Sequence, residues 1–331
     1  MHYYLMLLLA IMPLCLNAQI FPAFGNSRTG TTGMQFLKIA PDARSAGMGG
    51  AFHAVVNDAS SLYWNPAGIA HSDTQRFQVQ FSRANYFAGT GMHYGALVYR
   101  PSPQHFWGFQ VLNLRTKEMP VTTEWQPFGT GQTYFVSDLV LGITYGRILS
   151  EKFSFGITTK YAYEGIATVK VHNILFDLGL QYHIGWKDVR FSVGFSNFGF
   201  NVEPTGRVNI LTLDGEKAIN NFDAITVPAI FRVGVAKEFI NTDWHRLTVS
   251  AQLNHPTDNN ETFAIGGEYG YKNYLFARTG YEVGVDEGGW PALGMGIRLP
   301  RNFGGLRFDY AYNHKRLLGA SHRISLGISL K

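Results

Sequence analysis

The sequence predicts an all-β fold: a transmembrane up-and-down β-barrel of about 14 antiparallel strands, with a small N-terminal helical hatch in its lumen. Three observations predict it. The first is composition. Only 15% of the 331 residues are charged while 46% are hydrophobic, 15% are aromatic and 37 are glycine, against about 25% charged and about 7% glycine in ordinary soluble domains. Mean hydropathy is nevertheless close to zero, as expected where apolar residues alternate with Gly, Ser, Thr, Asn and Gln. The second is a period of two that dominates from Arg76 onward, the mark of strands with one apolar and one polar face. The third is an alternation of short and long connections between those strands, a parity that belongs to barrels with short periplasmic turns and longer outer loops. High aromatic content excludes a disordered chain. The absence of apolar runs of about 20 residues in the mature chain excludes a polytopic helical membrane protein.

Residues 1–18 read as a signal peptide. Tyr4 to Leu16 is apolar, and Leu16-Asn17-Ala18 before Gln19 places small residues where signal peptidase needs them, so cleavage is expected near Ala18. Cys15, the one cysteine, lies in that segment, and a mature chain without it has neither disulfides nor thiolate chemistry. The formal charge of +5 comes with no basic run, which excludes nucleic acid as a partner.

Residues 19–75 form an N-terminal extension and hatch. Asp42 is read as the N-cap of a short turn, Asp58 as the cap of Ala59 to Tyr63, and Asn65-Pro66 as a cap followed by proline at the first helical position. Val55-Val56 between them reads as a short extended piece. Small residues dominate from Ala43 to Ala51, which implies close backbone packing. Gly47-Met48-Gly49-Gly50-Ala51-Phe52 lacks the third glycine and the flanking elements of a dinucleotide loop. The segment is too short to hold its own core, and a polar barrel lumen is where its backbone groups find partners.

Residues 76–331 form the barrel. Marking each alternating run places strands at 77–83, 91–100, 105–115, 133–147, 153–164, 170–184, 188–197, 226–238, 245–254, 262–271, 274–283, 291–299, 303–313 and 321–330. The last is the clearest: Ile324, Leu326, Ile328 and Leu330 alternate with Ser325, Gly327 and Ser329. Short connections include Pro101-Ser102-Pro103 and Ser150-Glu151-Lys152. Long ones include Thr116 to Gln132, Phe198 to Ile225, His255 to Glu261, Val285 to Trp290 and His314 to Ala320. Tyr94, Tyr99, Phe106, Trp107, Tyr145, Tyr161 and Tyr310, among others, are candidates for aromatic girdles at the membrane interfaces.

Two stretches in the hatch carry a resemblance. Phe36-Leu37-Lys38-Ile39-Ala40-Pro41-Asp42-Ala43-Arg44-Ser45-Ala46-Gly47-Met48-Gly49-Gly50-Ala51, followed by Asn57-Asp58-Ala59-Ser60-Ser61-Leu62-Tyr63-Trp64-Asn65-Pro66-Ala67-Gly68, is similar to the PorV/PorQ family of Bacteroidetes outer-membrane proteins. That family is related to FadL-type fatty-acid transporters, which carry a similar Asn-Pro-Ala motif in an N-terminal hatch. The resemblance implies a fourteen-strand barrel closed by a hatch, in the outer membrane of a Gram-negative, Bacteroidetes-like bacterium. It implies a structural or gating role for Asp42, Arg44, Gly47, Gly49, Gly50, Asp58, Asn65, Pro66 and Gly68. It also implies type IX secretion translocon subunits, or the C-terminal signal domains of exported cargo, as partners beside outer-membrane lipid.

No cofactor or metal is expected. The 11 histidines are scattered, without an H-E-x-x-H pattern. Asp258 to Glu261 lacks the ligand spacing of a calcium loop and reads as a solvated turn. No G-x-S-x-G nominates a nucleophile, so the protein is not read as an enzyme. The two longest loops offer a candidate partner surface in Met119, Trp125, Phe128, Phe198, Phe200 and Leu211, apolar groups of the kind that mark contact sites. The expected function is a type IX secretion component or accessory that binds exported proteins; the alternative is a FadL-like transporter of hydrophobic small molecules.

Overall fold

The computed structural model describes residues 30, 32–71, 76–185, 188–212, 215–285, 288–301 and 304–330. The signal peptide read at 1–18 lies outside them. Before the barrel come a 3-10 turn (Gln35–Lys38), helix α1 (Ala43–Gly47), helix α2 (Ser61–Trp64) and a second 3-10 turn (Pro66–His71).

The barrel opens with β1 (Phe77–Asn85), β2 (Gly91–Ser102) and β3 (His105–Arg115). A small hairpin of β4 (Met119–Pro120) and β5 (Thr133–Tyr134) decorates the next loop. The wall continues with β6 (Val136–Ser150), β7 (Phe153–Ile166), β8 (Val169–Ile184) and β9 (Val189–Gly199). A second hairpin, β10 (Val208–Thr212) with β11 (Gly215–Ile219), lies in the longest loop. Then come β12 (Ile230–Asn241), β13 (His245–Pro256), β14 (Thr262–Tyr271) and β15 (Leu275–Val283). The last are β16 (Ala292–Arg301), β17 (Gly304–Lys315) and β18 (Gly319–Leu330). Fourteen of these strands, all but the two hairpins, close into one antiparallel barrel, and β1 pairs with β18 to shut it.

The alternation becomes an inside and an outside. Along β1, Gln78, Gln80 and Ser82 are buried towards the lumen, whereas Phe81 on the opposite face is exposed. On β18, Arg323 and Ser325 point inward, and Ile324 and Leu326 are exposed. The exposed apolar side chains form the lipid-facing band. Closure leaves no unpaired edge, the condition for strands to cross a membrane.

Several details differ from the sequence expectation. Tyr94 and Phe106 face the lumen and are buried, so they belong to no girdle. The candidates Tyr145, Tyr161 and Tyr310 do lie on the outer face, where tyrosines pair with histidines: His105 with Tyr145 (2.8 Å), Tyr161 with His172 (2.6 Å), His245 with Tyr269 (2.6 Å) and Tyr310 with His322 (2.8 Å). β17 and β18 run on to Lys315 and from Gly319, so His314 to Ala320 holds a tight turn in place of a long loop. The polar residues at these strand tips break the apolar alternation while backbone pairing continues. β12 begins at Ile230, four residues later than read, because Pro228 offers no N–H to a ladder. Val55 and Val56 form a turn, both N–H groups reaching the Phe52 carbonyl at 3.0 Å, where an extended piece was expected.

Candidate functional site

The hatch motif packs inside the barrel, and its residues have separable physical jobs. Asp42 caps α1: its carboxylate accepts the Ser45 N–H at 2.9 Å and the Trp64 Nε1–H at 2.9 Å, tying the first half of the hatch to the second. Burial raises the Asp42 pKa, against the lowering effect of those hydrogen bonds. Asn65 works in both directions, donating to the His53 carbonyl (3.1 Å) and accepting from the Ala67 N–H (3.0 Å), which sets Pro66 at the head of its turn. Gly49 and Gly50 adopt φ of 62° and 83°, a region other residues enter only at a cost. A Cβ at Gly68 would stand 2.7 Å from a Val56 methyl group.

Glycines on the wall match the hatch from the other side. A Cβ at Gly280 on β15 would lie 2.1 Å from the Met48 carbonyl carbon, and one at Gly179 on β8 would lie 2.1 Å from Asn65 Oδ1. A Cβ at Gly156 on β7 would lie 2.3 Å from the Pro66 carbonyl carbon, one at Gly108 on β3 would lie 2.3 Å from a Leu62 methyl group, and one at Gly294 on β16 would lie 3.0 Å from the Gly47 Cα. These positions form a belt of missing side chains into which the hatch fits. Much of the glycine excess has this origin.

Charge holds the same contact. Arg44 on α1 makes a two-pronged bond to Glu268 of β14, both arms at 2.8 Å, and its third nitrogen reaches Asn57 (2.8 Å) and Asp58 (3.0 Å). Arg278 contacts Glu268 at 2.6 Å and Asp309 at 2.8 Å; Arg307 contacts Asp58 at 2.8 Å and Asp309 at 2.8 Å. Burial opposes the Arg44 charge, but the Glu268 and Asp58 carboxylates outweigh it and hold its pKa above the usual range. Burial would likewise raise Asp58, and Arg307 with Arg44 pull it below the carboxylate range instead. A guanidinium fork on a carboxylate gives direction as well as attraction, so this network fixes the orientation of α1 in the wall. Gln252 adds to it by accepting the N–H groups of Phe52 (3.0 Å) and His53 (2.8 Å).

Between the hatch and the long-loop end lies a cavity of about 830 Å³, lined among others by Phe36, Trp64, Tyr86, Leu114, Asp138 and Trp290. On the short-turn side a recess of only about 80 Å³ remains, with Asp42, Arg44, Asp58 and Arg307 on its wall. Asp258, read as part of a solvated turn, is buried. It accepts from Thr32 (2.7 Å), Gln35 (2.8 Å) and Lys38 (2.9 Å), anchoring the start of the hatch at the long-loop end.

The loop residues fall into separate places. Trp125 and Phe128 are 81% and 101% exposed at the tip of the loop between β3 and β6. Met119 lies in β4, paired with Tyr134. Phe198 belongs to β9 and Phe200 follows it, both exposed; Leu211 lies in β10. β9 outruns its predicted end because Asn197, at φ 60°, forms a bulge. The bulge is held by Asp177, which accepts the Asn197 N–H at 2.7 Å and pairs with Lys160. The wall glycines and the partners Glu268, Arg278 and Asp309 were not read from the sequence as site residues. Their signal was present: each stands on the polar face of an alternating strand.

Residues 23–91 match the family model described as type IX secretion system protein PorV. No curated protein matches the chain in sequence. Among solved structures, the toluene transporter TbuX of Ralstonia pickettii superposes with a TM-score of 0.63 at 14% identity, covering 88% of this chain and 98% of its own. The CymD monoaromatic hydrocarbon channel gives 0.60 at 14% identity, covering 94% and 99%. A FadL homologue from Pseudomonas aeruginosa gives 0.53 at 12%, covering 87% and 97%. The chain thus has a FadL-like fold, a closed fourteen-strand β-barrel with an N-terminal hatch, and its residues 23–91 carry the PorV family's sequence pattern.

Proposed function

We propose that the protein serves type IX secretion as a component or accessory that holds exported proteins at the outer face of the membrane, its lumen closed by the hatch. The observation that carries this reading is where the family match falls. The described hatch residues within the match, 32–71, pack inside the barrel against several wall strands, which leaves the outer loops as the working surface. Exposed Trp125 and Phe128 suit contact with a protein partner, since clustered aromatic groups dominate such interfaces. The partners are translocon subunits or the C-terminal signal domains of cargo, and no step of the role calls for a catalytic group. Deleting the gene and comparing the secreted proteins tests it: selective loss of exported proteins is expected, and an unchanged set overturns the reading.

A second reading, uptake of hydrophobic small molecules, is favoured by the cavity of about 830 Å³ above the hatch, a volume typical of ligand pockets. The superposed neighbours are named for toluene and monoaromatic hydrocarbons. Uptake into vesicles that depends on residues 34–71 supports it, and equal rates with and without them removes it.

A further inference from the structure

We propose that the outer cavity binds a small organic cation, an ammonium or guanidinium group carried on an apolar body, with Asp138 and Glu164 receiving the charge. Asp138 of β6 and Glu164 of β7 are direct cross-strand partners, and both line the cavity. Like charges placed opposite each other destabilise a sheet. Burying a carboxylate away from water adds a further cost unless it is paired. Other acidic groups of the lumen have side-chain ion pairs or donors: Glu268 and Asp309 have Arg278, Asp58 has Arg44 and Arg307, Asp177 has Lys160, Asp42 accepts from Ser45 and Trp64, and Glu282 accepts from the Thr262 hydroxyl at 2.7 Å. Asp138 and Glu164 have no ion pair among the described residues. Asp138 is 3% exposed and its Oδ1 has no hydrogen-bond partner there. Glu164 accepts one bond, from the Met34 N–H at 2.9 Å.

Among the described residues, none of the cations on the cavity wall, Lys315 included, forms an ion pair with Asp138 or Glu164, and Lys38 pairs with Asp258 at 2.9 Å. Arg232 donates to Ser196 at 2.6 Å and lies over the Trp64 ring, and Arg323 donates to the Ala40 carbonyl (3.0 Å) and to Asn313 (2.8 Å). The missing partner is therefore a donor from outside the chain. Its apolar remainder would meet Phe36, Tyr86, Leu114 and Trp290, and aromatic faces themselves attract cations. Two carboxylates without a third ligand make a poor cage for calcium, which takes six to eight oxygens. This assignment goes beyond both functional readings, because it concerns what the cavity binds and not what the barrel exports or imports.

Isothermal titration of the purified full-length protein in detergent tests it, with benzylammonium, benzyl alcohol, benzoate and calcium chloride as probes. Benzylammonium is expected to bind at least about tenfold more tightly than benzyl alcohol or benzoate. Asp138→Asn and Glu164→Gln should each weaken it about tenfold while the barrel keeps its heat-modifiable migration on gels. Equal binding of the cation and the neutral alcohol, no response to either substitution in a folded barrel, or tight binding of calcium that excludes benzylammonium would each overturn the assignment.

Discussion

His53 shows how single side chains are committed to the packed hatch. It is buried against the wall, shares a hydrogen bond with Ser192 at 2.8 Å, and its pKa is pushed down to about 3 by burial, with Arg232 adding to the effect. In the unfolded chain the same ring titrates near 6.5. Between about pH 6.5 and about pH 3 the unfolded state binds a proton that the folded state refuses, so the stability tied to this residue falls as pH drops through that window. Thermal unfolding in detergent at neutral and at acidic pH should show wild type losing more stability on acidification than His53→Gln. Equal losses would contradict the assignment. Gly280 is committed by shape. Gly280→Ala would press a methyl group into the Met48 backbone and should cost about 1–3 kcal/mol through overpacking. Gly267→Ala, on the same sheet but with nothing closer than 3.9 Å, should leave the unfolding temperature unchanged. The two substitutions giving the same shift would refute the fitted belt.

At the scale of elements, strands were legible and their termini less so. Alternation is imposed by lipid outside and polar lumen inside, and it reaches only as far as both environments do. Beyond the membrane, backbone pairing carries β17 to Lys315 and β18 back to Gly319 with no apolar signal to mark it. The bulge at Asn197 likewise interrupts the period without ending β9. In the hatch, local chemistry was readable: the cap at Asp42 needs only Ser45, three residues away. Its counterpart in the wall was not, because Arg44 and Glu268 are 224 positions apart and only the closed barrel brings them together. Loop elements stand apart from this machinery. Trp125→Ser with Phe128→Ser should leave thermal stability within about 0.5 kcal/mol of wild type, as exposed sites do, while reducing retention of exported proteins by outer membranes. A folded double variant that retains them as wild type does would move the partner surface elsewhere.

For the whole molecule, composition and fold express one arrangement. Apolar side chains face lipid, polar ones face the lumen, and glycine stands at several of the places where the hatch packs closely on the wall. The buried network around Glu268 then makes hatch and barrel one body: removing one partner of such a network leaves an uncompensated charge, which costs about 3–5 kcal/mol. A cavity of about 830 Å³ lies above the hatch, and only about 80 Å³ remains in the recess below it. A barrel that the hatch closes at rest passes no steady ion current. Ion conductance of the purified protein in a planar lipid bilayer tests it most directly. Wild type should insert without steady conductance, and the variant lacking residues 34–71 should open wide channels. Steady wild-type currents as large as those of that variant would contradict the account.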